Sequence, residues 1–108
     1  MRDFVVILIT TCSEEEAARI GRTLVEERLA ACVNIIPDIR SFFHWEGKLQ
    51  EEKEALLLVK SQGDQISRII YRVKELHSYS VPEVIALPIL AGSEDYLRWV
   101  KESIKEKG

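Results

Sequence analysis

Apolar positions in this chain switch between continuous β-branched runs and a spacing of three to four residues, and the switches divide it into elements. "DFVVILITTC" (3–12) is unbroken and β-branched, the pattern of a strand buried on both faces. Behind it, Ser13 and Glu16 form a capping-box signature, and Glu14 to Glu16 suit the positive end of a helix dipole. Ala17, Ile20, Gly21 and Leu24 then recur on one face, predicting a helix to about Leu29. Two extended runs flank Glu46-Gly47, a hairpin turn that uses glycine's freedom at positive φ. Pro37 lies inside the first run, where it cannot donate to a ladder and predicts an edge or a bulge. Ile66, Ile69, Ile70, Val73 and Leu76 mark a second helix behind an Asp64 cap. "PEVIALPIL" (82–90) reads as a strand, and Ser93 caps a last helix carrying Tyr96, Leu97, Val100 and Ile104.

The order β-α-β-β-α-β plus a C-terminal helix predicts an α+β fold, ferredoxin-like, with an antiparallel sheet and a single domain over residues 1–108. Right-handed crossovers place strands one and three at the centre and two and four at the edges. The hairpin arms, Ala31 to Trp45 and Lys48 to Ser61, each reach ~45 Å at ~3.3 Å per residue. A helix of ~16 residues covers only ~24 Å, so about half of the hairpin overhangs the helical layer. That overhang carries Phe42, Phe43 and Trp45, and an aromatic ribbon with free edges invites another chain. A homo-oligomer pairing through strand edges and the 31–61 hairpin is expected; a hairpin folded back at Pro37 to bury its own aromatics is the alternative.

Composition narrows the function classes. The 108 residues are 46% apolar, enough for one core, and 15 basic against 18 acidic residues leave a net charge of -3 without a basic block. No nucleic acid and no anionic membrane is expected as a partner. The longest apolar run, Phe4 to Ile9, is far short of a membrane span, and no leader pattern precedes it. Cys12 and Cys32 have neither CxxC nor zinc-ligand spacing, which predicts reduced, intracellular thiols.

"LVEERLAACVNI", "FHWEGKLQEEKEALLLVKS", "LHSYSVPEVIALPI" and "GSEDYLRWV" stand in the order and spacing of the CutA proteins, the divalent-cation tolerance family, and nearly the whole chain resembles that family. The W-x-G-K hairpin tip and the H-x-Y-x-x-P-E turn are its most specific parts. The resemblance implies a ferredoxin-like subunit in a very stable homotrimer, cytoplasmic in bacteria and archaea and organellar in eukaryotes. It also implies a role in tolerance to copper and other divalent cations. Metal binding in the family attaches to a first-strand thiol plus the His and Glu of that turn. His77 and Glu83 match; Ile9 stands at the thiol position, with Cys12 three residues later, and Ser78 replaces the family's usual proline. The likeness of the family to PII signalling proteins places its sites in clefts between subunits.

From the residues themselves, His77 continues the apolar face of its helix, so a capping imidazole is the plain reading and a metal ligand the sharper one. With Glu83, which enters strand four behind Pro82, it makes an imidazole–carboxylate pair acceptable to Cu(II) or Zn(II). Two ligands chelate weakly, so Cys32 or another subunit would supply a third; Cys32 is otherwise a small buried hydrophobe. A hydrogen bond between His77 and Glu83 that pins the loop is the alternative. Tyr79 caps the cleft or packs its ring, Glu54 and Lys60 share pleat parity on strand three, and Trp45 is an interface anchor or a stacking platform.

No enzyme is expected. "TTCSEE" gives the first turn carboxylates and no glycine, against the phosphate cradle of an acylphosphatase-like hydrolase. Neither His44 nor His77 sits beside a nucleophile, and a soft-metal chaperone would need paired cysteines after strand one. The remaining alternative is a PII-like signalling or assembly module that acts through a protein partner of unknown identity. No organic cofactor is expected, only a weakly held divalent cation.

Overall fold

Strand β1 (Phe4–Thr11) forms where the β-branched run is densest, and its side chains alternate as far as Ile9: Val5, Ile7 and Ile9 are buried while Phe4, Val6 and Leu8 are half-covered, and Thr10 and Thr11 are then both buried. The computed structural model describes residues 4–104; Asp3, expected at the start of this run, lies outside them. Helix α1 (Glu14–Glu26) follows, then β2 (Cys32–Trp45), β3 (Lys48–Gln62), α2 (Ile66–Leu76), β4 (Val84–Pro88) and α3 (Glu94–Ser103). The sheet order is β2-β3-β1-β4, antiparallel throughout, the ferredoxin-like α+β arrangement with one added helix. Among the described residues, no helix is long and apolar enough to cross a membrane.

Helices α1 and α2 cover one sheet face. Ala17, Ile20 and Leu24 of α1 and Ile69 and Val73 of α2 close over Val5, Ile7, Ile9, Ala55, Leu57 and Val59. Each large aliphatic side chain buried there contributes ~1.5–3 kcal/mol. Gly21 lets α1 lie close to β2, since a Cβ on it would stand 2.9 Å from Cγ1 of Val33. Gly21→Ala would normally gain ~1 kcal/mol of helix propensity. Here the added Cβ would press on the β-branched Val33, which is stiff at χ1, and we expect a net loss of about 1 kcal/mol. Urea unfolding at fixed protein concentration measures it, and a stabilised variant would contradict this packing.

The opposite face is apolar and largely open. Its Phe4 end is covered by α3, where Ala31, Val100 and Ile104 cluster with Phe4. Beyond that, Ile85 and Leu87 of β4 remain 50% and 49% exposed, with Leu8, Leu56 and Leu58 half-covered beside them.

Three local expectations meet a different outcome. Helix α1 stops at Glu26, because Arg28 turns left-handed (φ 62°) and the N–H groups of Arg28 and Leu29 donate to Val25 and Leu24. This is a Schellman closure without its usual glycine. Asp64 is not the cap of α2: a 3-10 turn over Gly63–Gln65 intervenes, and Gln65 at the cap position makes no side-chain capping bond. Cys32 is half-exposed rather than a buried hydrophobe, with its thiol facing Asn34.

The hairpin behaves as its length requires. Residues 55–62 of β3 pair with β1, whereas from Glu54 outward β3 pairs with β2 alone, so the distal hairpin projects. The register slips between Ile36 and Ile39, at Pro37, and the tip turns through Glu46 (φ 52°) and Gly47 (φ 80°). Phe43 stays 38% and Trp45 51% exposed, so the hairpin does not fold back to bury its own aromatics.

Candidate functional site

Position 77 ends α2, and its backbone N–H still donates to Val73 while the chain turns extended. The imidazole points into the protein and is fully buried. A carbonyl can only accept and an amide N–H can only donate, which settles the tautomer. Nε2 carries the proton and donates to the Thr10 carbonyl at 2.7 Å, and Nδ1 accepts the Tyr79 N–H at 3.0 Å. Both ring nitrogens are thereby occupied. The Tyr79 ring packs against this imidazole at a tilt of 41°, with centroids 4.7 Å apart.

Glu16 clamps the same turn from α1. Ser13 Oγ accepts the Glu16 N–H at 3.1 Å, the expected half of a capping box. The carboxylate does not return to Ser13: Oε1 accepts from Cys12 N–H at 3.1 Å and Oε2 from Ser78 N–H at 2.7 Å. Burial pushes this carboxyl up, but the backbone N–H groups of Ser78 and Cys12 outweigh it and hold the group at about 2.

The clamped turn forms one wall of a cleft of about 710 Å³, and the projecting hairpin forms the other. Ser41, Phe43 and Trp45 share a pleat face with Gln50, Glu52 and Glu54 across the ladder, and all six line the cleft. Tyr79 and Glu83 close it from the turn, with Thr10 at the end of β1. Tyr79 Oη donates to Glu54 Oε2 at 2.6 Å; burial, then this bond and the Glu54 charge, drive the phenol far above its ordinary range. Three carboxylates therefore enter one cleft, and among the described residues no Lys, Arg or His side chain lines it.

Of the residues singled out from sequence, Trp45, Glu54, Tyr79 and Glu83 come together in this cleft. His77 lies behind its wall rather than in it, and among the described residues no hydrogen bond joins it to Glu83. Cys32 and Lys60 pair with each other across the ladder, and Lys60 opposite Val6. That is four residues along β1 from Thr10, or ~13 Å at ~3.3 Å per residue. Lys60 Nζ binds Asn34 Oδ1 there. So the set His77, Glu83 and Cys32 does not assemble within one chain, and Glu54 and Lys60 share a face but not a cleft. Among the described residues, no three His, Cys, Asp or Glu side chains converge as metal ligands.

Glu52 and Phe43 join the cleft without having been singled out as site residues, although their pleat parity with Glu54 and Trp45 was readable. Glu16 was read only as a cap, since nothing local links it to Ser78.

The family model described as "CutA1 divalent ion tolerance protein" matches residues 5–103. The divalent-cation tolerance protein CutA of Thermus thermophilus is 51% identical over 98 residues, covering 91% of this chain and 95% of that protein. The chloroplastic CutA of Arabidopsis thaliana is 43% identical over 101 residues, covering 94% of this chain but 56% of that longer protein. The solved periplasmic divalent cation tolerance protein CutA from Archaeoglobus fulgidus superposes with a TM-score of 0.91 at 42% identity, over 97% of this chain and 100% of that one.

Proposed function

The chain belongs to the CutA1 divalent ion tolerance family, and on that premise we propose that it is a cytoplasmic homotrimer that binds divalent cations such as copper or zinc weakly in clefts between subunits. It acts by binding, not by catalysis. The observation that carries this reading is the cleft lined by Glu52, Glu54 and Glu83, with no cationic side chain among its described lining residues; in the proposed trimer a neighbouring subunit borders its open side. Carboxylate oxygens attract a divalent ion, and low ligand density keeps the affinity modest.

Assembly is supported by the open apolar face with Ile85 and Leu87, the free edges of β2 and β4, and the exposed Phe42 and Leu49 on the pleat face of the hairpin opposite Phe43 and Trp45. The number three comes from the family resemblance. In such an assembly Cys32 and Lys60 reach a cleft only as a neighbour's residues. His77 serves as the buried post of the turn, and the cation is held by oxygen donors instead of imidazole.

Light scattering with calorimetric titration of Cu(II) and Zn(II) tests both parts. We expect a particle of three subunits at micromolar concentration and a roughly 10-fold weaker cation affinity in Glu83→Gln, the effect of ~1.4 kcal/mol from one lost carboxylate contact. A monomer, or unchanged affinity in Glu83→Gln, would overturn it.

A further inference from the structure

We infer that the cleft is built for a small free organic cation, with an alkylated ammonium or amidinium head, rather than for a bare metal ion alone. The inference rests on the cation-binding reading above and names the ligand class of the same cleft. A site meant only for a hydrated metal needs oxygen donors and has no use for ring faces. This one sets Phe43 and Trp45 on the same pleat face as Glu52 and Glu54, with Glu83 and the Tyr79 ring opposite.

Ring faces and carboxylates together are the chemistry that recognises an organic cation: the quadrupole attracts the charged head, the alkyl surface packs on the ring, and carboxylates supply charge. The hairpin already shows the pairing once. On its other pleat face the Arg40 guanidinium sits 5.5 Å from the centre of the Phe42 ring while binding Glu51 at 2.6 and 3.0 Å. Phe42 also borders the cleft, and on the cleft's own pleat face the aromatic and acidic pairing recurs with no Lys, Arg or His among the described lining residues. Its volume, about 710 Å³, lies within the range of small-molecule sites and far exceeds what one ion needs. Charge complementarity thus specifies the occupant.

Calorimetry on the assembled protein with tetramethylammonium chloride as probe, and tert-butanol as its uncharged isostere, tests this directly. Tetramethylammonium has a fixed charge and cannot coordinate as a metal does. We expect saturable binding of tetramethylammonium at least 10-fold stronger than of tert-butanol. Affinity should fall at least 5-fold in Trp45→Leu and Phe43→Leu and be largely retained in Trp45→Phe, whereas Zn(II) affinity is unchanged in all three. Light scattering and circular dichroism check that each variant is assembled and folded, and the Trp45→Phe and Trp45→Leu pair carries the test if Phe43→Leu is not. Zn(II) binding without tetramethylammonium binding would overturn this inference and leave the cation-binding proposal standing. Equal binding of the two isosteres, or equal affinity in Trp45→Leu and wild type, would also overturn it, and failure of both probes would overturn both readings.

Discussion

Glu16→Gln is expected to destabilise the protein by about 3 kcal/mol at neutral pH, and the deficit should vanish in acid. The carboxylate ties two backbone amides from turns far apart in sequence, Cys12 N–H and Ser78 N–H, while 5% exposed. Burial alone would raise its pKa; the amide bonds prevail and lower it from an ordinary 4.5 to about 2. A depressed folded-state value stabilises the fold fully above the unfolded value, and the contribution drains away as pH falls from about 4.5 through about 2. At 1.36 kcal/mol per pH unit the difference amounts to roughly 3 kcal/mol. Urea unfolding of wild type and variant, at one protein concentration and several pH values, should show curves that converge toward pH 2. A gap that stays constant with pH would mean that the charge does not matter and only packing was lost.

His77→Ala should cost as much or more, about 3 to 4 kcal/mol, because it opens a cavity and strands two buried partners at once. The Thr10 carbonyl loses its donor and the Tyr79 amide its acceptor. His77→Asn separates these parts. An asparagine oxygen reaches the amide two residues on, as in an Asx turn, but not the Thr10 carbonyl, so about half of the loss should return. Hydrogen exchange at the Tyr79 amide reads the same contrast: fast in His77→Ala, slow again in His77→Asn. Cation affinity should survive in the folded asparagine variant, since the imidazole nitrogens face the protein and not the cleft. Loss of affinity there, with the turn intact, would restore His77 as a ligand.

Both effects turn on contacts between residues far apart in sequence, which also marks the limit of what could be read from the chain. The elements, the Pro37 bulge, the Glu46-Gly47 turn and the overhanging hairpin were legible because each depends on neighbours a few residues away. Pleat parity placed Glu54 and Lys60 on one face for the same reason, and the same rule relates Glu52 to Glu54 and Phe43 to Trp45, whereas the register that brings the two strands' faces together is seen only in the structure. Parity says nothing about distance along a strand, so Lys60 shares the face of Glu54 yet lies near Cys32 at the other end. The Ser13–Glu16 pair announced a helix start, but the carboxylate's second partner lies 62 residues away. His77 has a helical neighbourhood that suits a cap and a motif that suits a ligand. Only the closing of β1 against the end of α2 puts Thr10 O in front of Nε2. The close of α1 at Arg28 lacked its signal because a left-handed arginine replaces the usual glycine.

In this account one acidic cleft, between the hairpin and the turn pinned by Glu16 and His77, is where the protein meets a cation. Paramagnetic broadening by Mn(II), a divalent ion that prefers oxygen donors, tests that placement. The amide signals of Glu52, Ser80, Val81 and Glu83 should broaden first, at manganese concentrations about 100-fold lower than in the Glu52→Gln/Glu83→Gln variant, the cost of ~2.8 kcal/mol for two carboxylate contacts. Broadening that begins on the outer faces of α1 and α2 while those cleft signals stay sharp, or that is unchanged in the double variant, would contradict it.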